Sequence, residues 1–322
     1  MLVHGEHPIG AFEGVECHAR TRWEGAHQRL RRHVAGGTRR VGTSAKPAST
    51  GIEGRDAKLG CDKAVGDRLG VNQVRTLAPS LARAPLVAWL DADDTWRPGY
   101  LERQVAVLDA EPEVAFTFAN FVRTEDGVLR PETQFDLCPE FRALATRAAG
   151  AGGAKVIEGS AFEALAAFGE MPCWIQATVH RRAVVMDLQP KPGDMDAEDL
   201  YFQLQVYARG RAAFIEDPLV EVRRHGDNSY SSSDQVREGV LTVLHELERT
   251  VPLTPSQLAV LHRRIGKEFC RRGYRYFWAH DMRRAARYYA QALRWPGTRR
   301  SALLHLALLP ALPLLPRREP RY

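Results

Sequence analysis

The sequence lacks the features of secreted and membrane-spanning proteins. Its 5 cysteines are an odd number and include no C-x-x-C pair, which excludes a complete disulfide framework. The longest apolar run, residues 302–315, contains a histidine and two prolines and is shorter than the roughly 20 residues that span a bilayer. The first residues do not show the cationic start and apolar run of a signal peptide. We therefore expect a cytoplasmic protein that touches a membrane only from its surface.

Positive charge is scarce in the middle of the chain. Residues 1–75 carry 13 Lys and Arg against 8 Asp and Glu, and residues 260–322 carry 15 against 3. The whole chain has 45 against 39, so the segment between them has a net charge of −11. An acidic centre argues against a nucleic-acid partner and suits a site for a cation or a polyhydroxyl substrate.

Regular periodicity is absent from the start of the chain. In residues 1–70 the apolar residues recur neither at every second position, as in a strand, nor every 3.6 positions, as in a helix. We therefore predict an irregular, poorly ordered segment there. With 44% hydrophobic and 26% charged residues, the chain as a whole has the composition of a soluble globular protein. The remaining pattern predicts an α/β domain over residues 71–235 and an all-helical extension over residues 236–322.

Apolar runs alternate with helical periodicity in the predicted α/β domain. The run from Pro85 to Leu90 is typical of a strand buried on both faces. A helix at 98–110 and a strand at 114–122 would complete a β-α-β unit, and the Gly- and Ala-rich residues 127–155 are predicted to form a mobile loop. Further elements are predicted in the order helix, strand, helix, strand at residues 159–168, 174–180, 197–208 and 214–224.

Three carboxylates follow the predicted buried strand. Asp91, Asp93 and Asp94 lie within four residues, and their mutual repulsion is costly unless a cation or a basic group neutralises it. Ligands of open α/β sheets bind at such strand ends, and hard divalent cations prefer oxygen ligands. The competing interpretation is that Asp93 or Asp94 only caps the next helix.

Two later polar groups could join this cluster. Glu198 and Asp199 open a predicted helix, where carboxylates are favourable in any case, and an ionised carboxylate near a metal could serve as a general base. Arg223, Arg224 and His225 follow the last predicted strand. Their plainer interpretation is a solvated turn.

The order and context of these groups resemble the family 2 glycosyltransferases with the GT-A fold. The resemblance rests on three stretches, which are Leu86–Gln104 with Asp-Ala-Asp-Asp, Ala197–Leu200, and Pro218–Gly226 with Arg-Arg-His-Gly. It implies a Rossmann-like mixed sheet flanked by helices, a nucleotide-diphosphate sugar as donor, and Mn²⁺ or Mg²⁺ as cofactor. The acceptor would be a glycan, lipid-linked or other hydroxyl compound, as in cell-surface polysaccharide synthesis at the inner membrane surface.

The resemblance also implies roles for individual acids. Asp93 would bind the metal on the donor diphosphate, Asp91 would lie by the nucleoside and reach the metal, and Asp94 would assist. Asp199, with Glu198 beside it, would be the base that deprotonates the acceptor hydroxyl in an inverting displacement.

The same resemblance implies roles for several basic residues. His225 would lie near the metal and the diphosphate, and Arg223 or Arg224 would offset phosphate charge. Arg75 matches the arginine of an Arg-Asn pair that precedes the central strand, although Thr76 replaces the asparagine.

The resemblance fails at the N-terminus. Family members open with an apolar strand and a Pro-x-Tyr-Asn-like turn, and a later strand ends in Asp-Asp-Gly-Ser; residues 1–70 contain neither. We therefore expect a degenerate or frame-shifted nucleotide-binding half, and an inactive chain is one alternative.

Two other functions stay open at this point. Asp91-Ala-Asp-Asp-Thr95 also matches the start of haloacid-dehalogenase-type phosphatases, in which Asp91 would be the nucleophile and Asp93 the acid. The arginine-rich C-terminus with its interleaved aromatic residues could instead make the chain a non-catalytic protein that binds anionic surfaces.

Overall fold

The computed structural model describes residues 2–4, 18–19, 71–91, 93–144, 146–189, 197–224 and 233–314. Most of the N-terminal segment that was predicted to be irregular therefore lies outside the described residues. His225 lies outside them too, and its predicted role stays a prediction.

Eleven strands are described. In chain order they are β1 Leu2–His4, β2 His18–Ala19, β3 Leu86–Ala88, β4 Leu90–Asp91, β5 Thr95–Trp96, β6 Val114–Glu125, β7 Val128–Leu129, β8 Thr146–Ala148, β9 Ala154–Ile157, β10 Thr178–Arg181 and β11 Arg211–Arg224.

Nine α-helices are described. They are α1 Val71–Leu81, α2 Tyr100–Ala110, α3 Ala161–Leu165, α4 Arg182–Met186, α5 Glu198–Tyr207, α6 Ser233–Thr250, α7 Pro255–Trp278, α8 Met282–Ala292 and α9 Arg299–Leu308.

Nine of the strands form one mixed sheet. Its order is β1-β3-β10-β6-β11-β9-β8, with β5 paired to β11 and β7 paired to β6. The pairs β3–β10 and β10–β6 are antiparallel, whereas β6 and β11 are parallel over most of their length. The separate pair β2–β4 is parallel. The predicted α/β architecture, a mixed sheet flanked by helices and followed by a helical extension, is confirmed.

The predicted β-α-β unit needs a correction. Strand β3, helix α2 and strand β6 form where the sequence places them, but β10 lies between β3 and β6 and runs antiparallel to both. The apolar run around β3 predicts a strand that is buried on both faces. Leu86, Val87 and Ala88 are buried in the structure, as predicted. Burial does not encode the direction of the neighbouring strand, because helices cover the two faces of a strand whichever direction its hydrogen-bonded neighbours run.

The prediction of a mobile loop at 127–155 is also wrong in part. Strands β8 and β9 form an antiparallel hairpin, and β9 pairs with β11 through Ala154, Lys155 and Val156. Val156 and Ile157 are fully buried. The small residues before β9 obscured a strand that gains its stability from pairing with β11.

Helices cover both faces of the sheet. Helix α2 packs on one face through Tyr100, Val107 and Leu108. On the other face α3 and α5 share a continuous core with α6 and α7, to which Leu244 and Ile265 belong. The end of α7 forms a smaller cluster with α8 and α9. The sheet is therefore held between two helical layers, and one of them includes the extension.

His180 of β10 is buried at the centre of this core. Its ring lies against Trp89, Phe116 and Phe202, with centroids 5.0, 5.7 and 5.9 Å away. Neither ring nitrogen has a hydrogen-bond partner among the described residues. Burial lowers the pKa of His180 to about 3, and the nearby backbone of Val87 offsets only part of that effect.

This histidine should make the fold sensitive to acid. Because the folded-state pKa is depressed, the unfolded chain takes up the proton first, and stability falls as the pH drops below about 6.5 toward 3. The expected loss is about 1.4 kcal/mol per pH unit in that window. We expect His180→Phe to remove this contribution in urea unfolding between pH 7 and 5. If stability fell with pH as steeply in His180→Phe as in the wild type, this account would be contradicted.

Candidate active site

The acidic cluster, which consists of Asp91, Asp93 and Asp94, lies at the end of β4 and in the turn that leads to β5. The amide N–H of Asp94 donates to the carbonyl of Asp91 at 3.1 Å, which turns the chain between the two strands. Strand β5 then pairs with Val220 and Glu221 near the end of β11. The cluster is therefore held beside the C-terminal end of β11, as expected for a ligand site of an α/β sheet.

Arg75 connects the two acidic motifs. It lies on α1, is 3% exposed, and its Nη2 is 3.4 Å from Oδ1 of Asp91. Its Nη1 pairs with Oδ1 of Asp199 in the first turn of α5. Burial disfavours the charge on Arg75, but Asp199, Asp91 and Glu198 together raise its pKa above the usual value. Three residues predicted from separate stretches of sequence thus meet at one edge of the sheet.

The local backbone presents Asp199 outward. Ala197, which precedes α5, has φ 62°, a left-handed conformation that costs a non-glycine residue about 1–2 kcal/mol. The carboxylates of Glu198 and Asp199 sit in the first helical turn, where the helix dipole favours negative charge. The side chain of Asp199 is 58% exposed although Arg75 is buried beneath it. The carboxylate of Asp199 is therefore held by a buried cation and is open to a solvent-side reactant.

The pKa values of two acids in the cluster are raised, which indicates that nearby positive charge does not fully compensate their negative charge. Burial raises the pKa of Asp91, the charges of Asp199 and Asp93 raise it further, and Arg75 opposes the shift. Burial also raises the pKa of Asp94 to about 8, although the amide of Arg223 donates to its Oδ1 at 2.9 Å. A bound cation would compensate carboxylates that are this poorly neutralised.

Gln176 is a residue of this site that the sequence analysis missed. It is 6% exposed, and its side chain hydrogen-bonds Asp94. The backbone carbonyl of Gln176 accepts hydrogen bonds from Trp96 Nε1 at 2.8 Å and from the Tyr100 hydroxyl at 3.3 Å. The rings of Trp96 and Tyr100 stack with centroids 4.5 Å apart. A lone glutamine inside an apolar run gives no motif, so nothing in the sequence could have singled it out.

Arg223 and Arg224 lie at the end of β11. Arg223 reaches the cluster through its backbone, while its Nε is 3.7 Å from Glu221. Arg224 is 3.9 Å from Glu125, and its guanidinium lies over the ring of Trp174 at 5.4 Å. Of these two predicted phosphate-binding residues, Arg223 contacts the acidic cluster through its backbone amide.

A hard divalent cation fits the donor set. Within the described residues there is no group of three or more His, Cys, Asp or Glu side chains that could hold a metal by themselves. Mg²⁺, however, is commonly bound by one or two carboxylates, with substrate phosphates and water completing the shell. Half-buried carboxylates with raised pKa values, such as Asp91 and Asp94, match that arrangement.

Part of the chain matches a known protein family. Residues 66–154, which include Arg75 and the acidic cluster, match the family model described as glycosyl transferase family 2. The predicted resemblance to that family is confirmed. The family 2 match ends before Asp199, so it covers Asp91, Asp93 and Asp94 and not the second acidic motif.

Solved structures give a more distant similarity. One that matches is the mannosyltransferase PcManGT from Pyrobaculum calidifontis in complex with GDP-Man and Mn²⁺. It is 18% identical, the match covers 81% of this chain and 67% of that one, and the TM-score is 0.40. That similarity is too low to assign a donor or an acceptor. No protein of curated function matches the chain.

Proposed function

We propose that the chain is a metal-dependent, inverting glycosyltransferase that moves a sugar from a nucleotide diphosphate to a hydroxyl acceptor, either a glycan or a lipid-linked compound. The observation that supports it most is the double contact of Arg75 with Asp91 and Asp199. It joins a donor-side acid inside the family 2 segment to a candidate base outside it. Such a pair is what a direct displacement needs, because the diphosphate departs on one side of the anomeric carbon while the acceptor attacks from the other.

In this mechanism the chain contributes binding and one proton transfer. Asp93, with Asp91, Asp94 and the undescribed His225, would hold Mn²⁺ or Mg²⁺, which when bound stabilises negative charge on the leaving diphosphate. Arg223 and Arg224 supply further positive charge on that side. Asp199 takes the proton of the acceptor hydroxyl at its carboxylate, and Glu198 supports it from the same helical turn. Arg75 holds Asp199 in place until the acceptor arrives.

Product analysis tests this function. The purified chain is incubated with a panel of nucleotide-diphosphate sugars, Mn²⁺ and simple hydroxyl acceptors, and release of the nucleoside diphosphate is followed together with the new glycoside. We expect release that depends on both Mn²⁺ and acceptor. Formation of an aspartyl phosphate at Asp91 from a phosphate ester, without any glycoside, would contradict it and support the phosphatase alternative.

We further propose that helix α9 contacts an anionic membrane surface, where a lipid-linked acceptor would lie. None of the described helices is long and apolar enough to cross a bilayer. Helix α9 nevertheless exposes Leu303, Leu304 and Leu308, and Arg299 and Arg300 are exposed at its start. Exposed leucines beside arginines are the pattern of a helix that lies in the lipid interface.

Vesicle binding tests this contact. We expect the chain to sediment with vesicles containing anionic lipid and not with neutral ones, and Leu304→Glu to reduce binding about tenfold because it places a charge in the apolar face. Leu129→Glu, at an exposed leucine of β7, is the matched control and should bind as the wild type does. Equal loss in both variants would contradict a specific role for α9.

A further inference from the structure

The last part of the described extension has basic residues and no acidic ones. Residues 282–314, which contain α8 and α9, include 6 arginines and neither Asp nor Glu. The preceding acid, Asp281, caps α8 and lies 3.4 Å from Arg284, so its charge is used in the first turn of that helix. The six arginines are Arg283, Arg284, Arg287, Arg294, Arg299 and Arg300.

Three of these arginines lie on one face of α8 and of the turn that follows it. Arg283, Arg287 and Arg294 are spaced by four and seven positions, which places them within about 40° around the helix axis. Leu293, the C-cap of α8, keeps helical backbone angles, so the helical path continues toward Arg294. All three arginines are exposed. We call these three residues the arginine stripe.

The arginine stripe lies opposite the face by which α8 packs. Ala285, Tyr289 and Ala292 are fully buried and share a core with α7 and α9. These buried positions lie about half a turn around the helix from the stripe. The face of the stripe also carries the exposed Ala290, whose small side chain adds little bulk there. The packing of the extension therefore does not use the stripe, which stays open to a partner.

No acid among the described residues neutralises the arginine stripe. Its three arginines form no ion pair with a described residue, whereas Arg284 pairs with Asp281 and lies over the ring of Tyr276. Like charges four positions apart on a helix repel each other, which applies to Arg283 and Arg287. An anionic partner would relieve that repulsion.

The arginine stripe leads into the surface of α9 that is proposed to contact a membrane. Arg294 lies in the connection between α8 and α9, and Arg299 and Arg300 follow at the start of α9. The exposed Leu303 and Leu304 come directly after them. Exposed leucines beside arginines favour a lipid surface over nucleic acid, because a phosphate backbone offers no apolar phase.

We propose that the arginine stripe binds the phosphate groups of anionic lipid headgroups. Helix α8 then supplies electrostatic attraction and α9 supplies apolar insertion, the two signals that stable attachment to a bilayer takes. The attraction grows with the number of arginines near the surface and weakens as salt screens it. This inference rests on the membrane contact proposed for α9 and is independent of the acidic cluster.

Co-sedimentation of the full chain with vesicles tests the arginine stripe. We expect binding to phosphatidylcholine vesicles that contain phosphatidylglycerol, and none to phosphatidylcholine alone. Arg287→Gln should bind about fivefold more weakly, and the double variant Arg283→Gln/Arg287→Gln about 25-fold more weakly. Added salt should weaken binding of the wild type more than that of the double variant. Arg211→Gln, which removes an exposed arginine at the start of β11, is the matched control and should bind as the wild type does.

Equal affinity of the double variant and the wild type for these vesicles would overturn the proposal, as would equal losses in Arg287→Gln and Arg211→Gln. Binding to duplex DNA but not to vesicles, with loss in the double variant, would assign the stripe to nucleic acid instead. Vesicle binding that is lost in Leu304→Glu and kept in the double variant would contradict the stripe alone and leave the contact of α9 standing. Sugar transfer to a water-soluble acceptor is measured without vesicles, so a failure of the proposed transferase activity is seen separately.

Discussion

Replacing Asp199 by Asn should lower kcat for sugar transfer by about 10²–10⁴, the range that a general base contributes. Donor binding should change little, because the proposed mechanism places Asp199 on the acceptor side and its carboxylate is 58% exposed. Asparagine keeps the size and loses the proton acceptor, so binding and proton transfer are separated. The measurement is kcat from product release together with the donor Kd from titration.

Two other variants make this result specific. Asp187→Asn, at an exposed position after α4, is the matched control and should keep the wild-type kcat. Glu198→Gln should lower kcat less than Asp199→Asn, because the proposed mechanism assigns the proton transfer to Asp199, whose carboxylate accepts a hydrogen bond from Arg75. A kcat within tenfold of wild type in Asp199→Asn would exclude this residue as the base.

Asp93→Ala should abolish the Mn²⁺-dependent part of nucleotide-sugar binding. Asp93 belongs to the turn between β4 and β5, and its charge contributes to the raised pKa values of Asp91 and Asp94. Its removal takes away a carboxylate ligand that hard cations require. We expect Kd in the presence of Mn²⁺ to rise at least about 30-fold, which corresponds to roughly 2 kcal/mol.

The control for this variant is Asp109→Ala, which removes an exposed carboxylate from α2. It should bind the donor as the wild type does. If Asp93→Ala bound the donor equally well with Mn²⁺, the metal would have to be held elsewhere, and the role assigned to the cluster would be wrong.

The sequence allowed much of the site to be predicted because its chemistry is local. Three acids after an apolar strand are visible in a single window, and the family resemblance joined them to Asp199 across a long separation. The structure brings these residues together through Arg75, which the sequence linked only weakly to the site.

The parts that could not be predicted depend on pairing between distant segments. Nothing in the sequence of β10 says that it enters between β3 and β6, because its apolar residues suit either strand direction. The hairpin β8–β9 was hidden by small residues, and Gln176 is defined only by the groups that surround it. The predicted domain boundaries at residues 70 and 235 stay predictions.

Direct titration of the wild-type chain with nucleotide-diphosphate sugars, in the presence and absence of Mn²⁺, tests most simply whether the acidic cluster holds a divalent cation against a diphosphate. At least one nucleotide sugar should bind with Mn²⁺ and bind at least tenfold more weakly when the metal is chelated. Identical affinity with and without the metal, or no binding by any member of the panel, would contradict it.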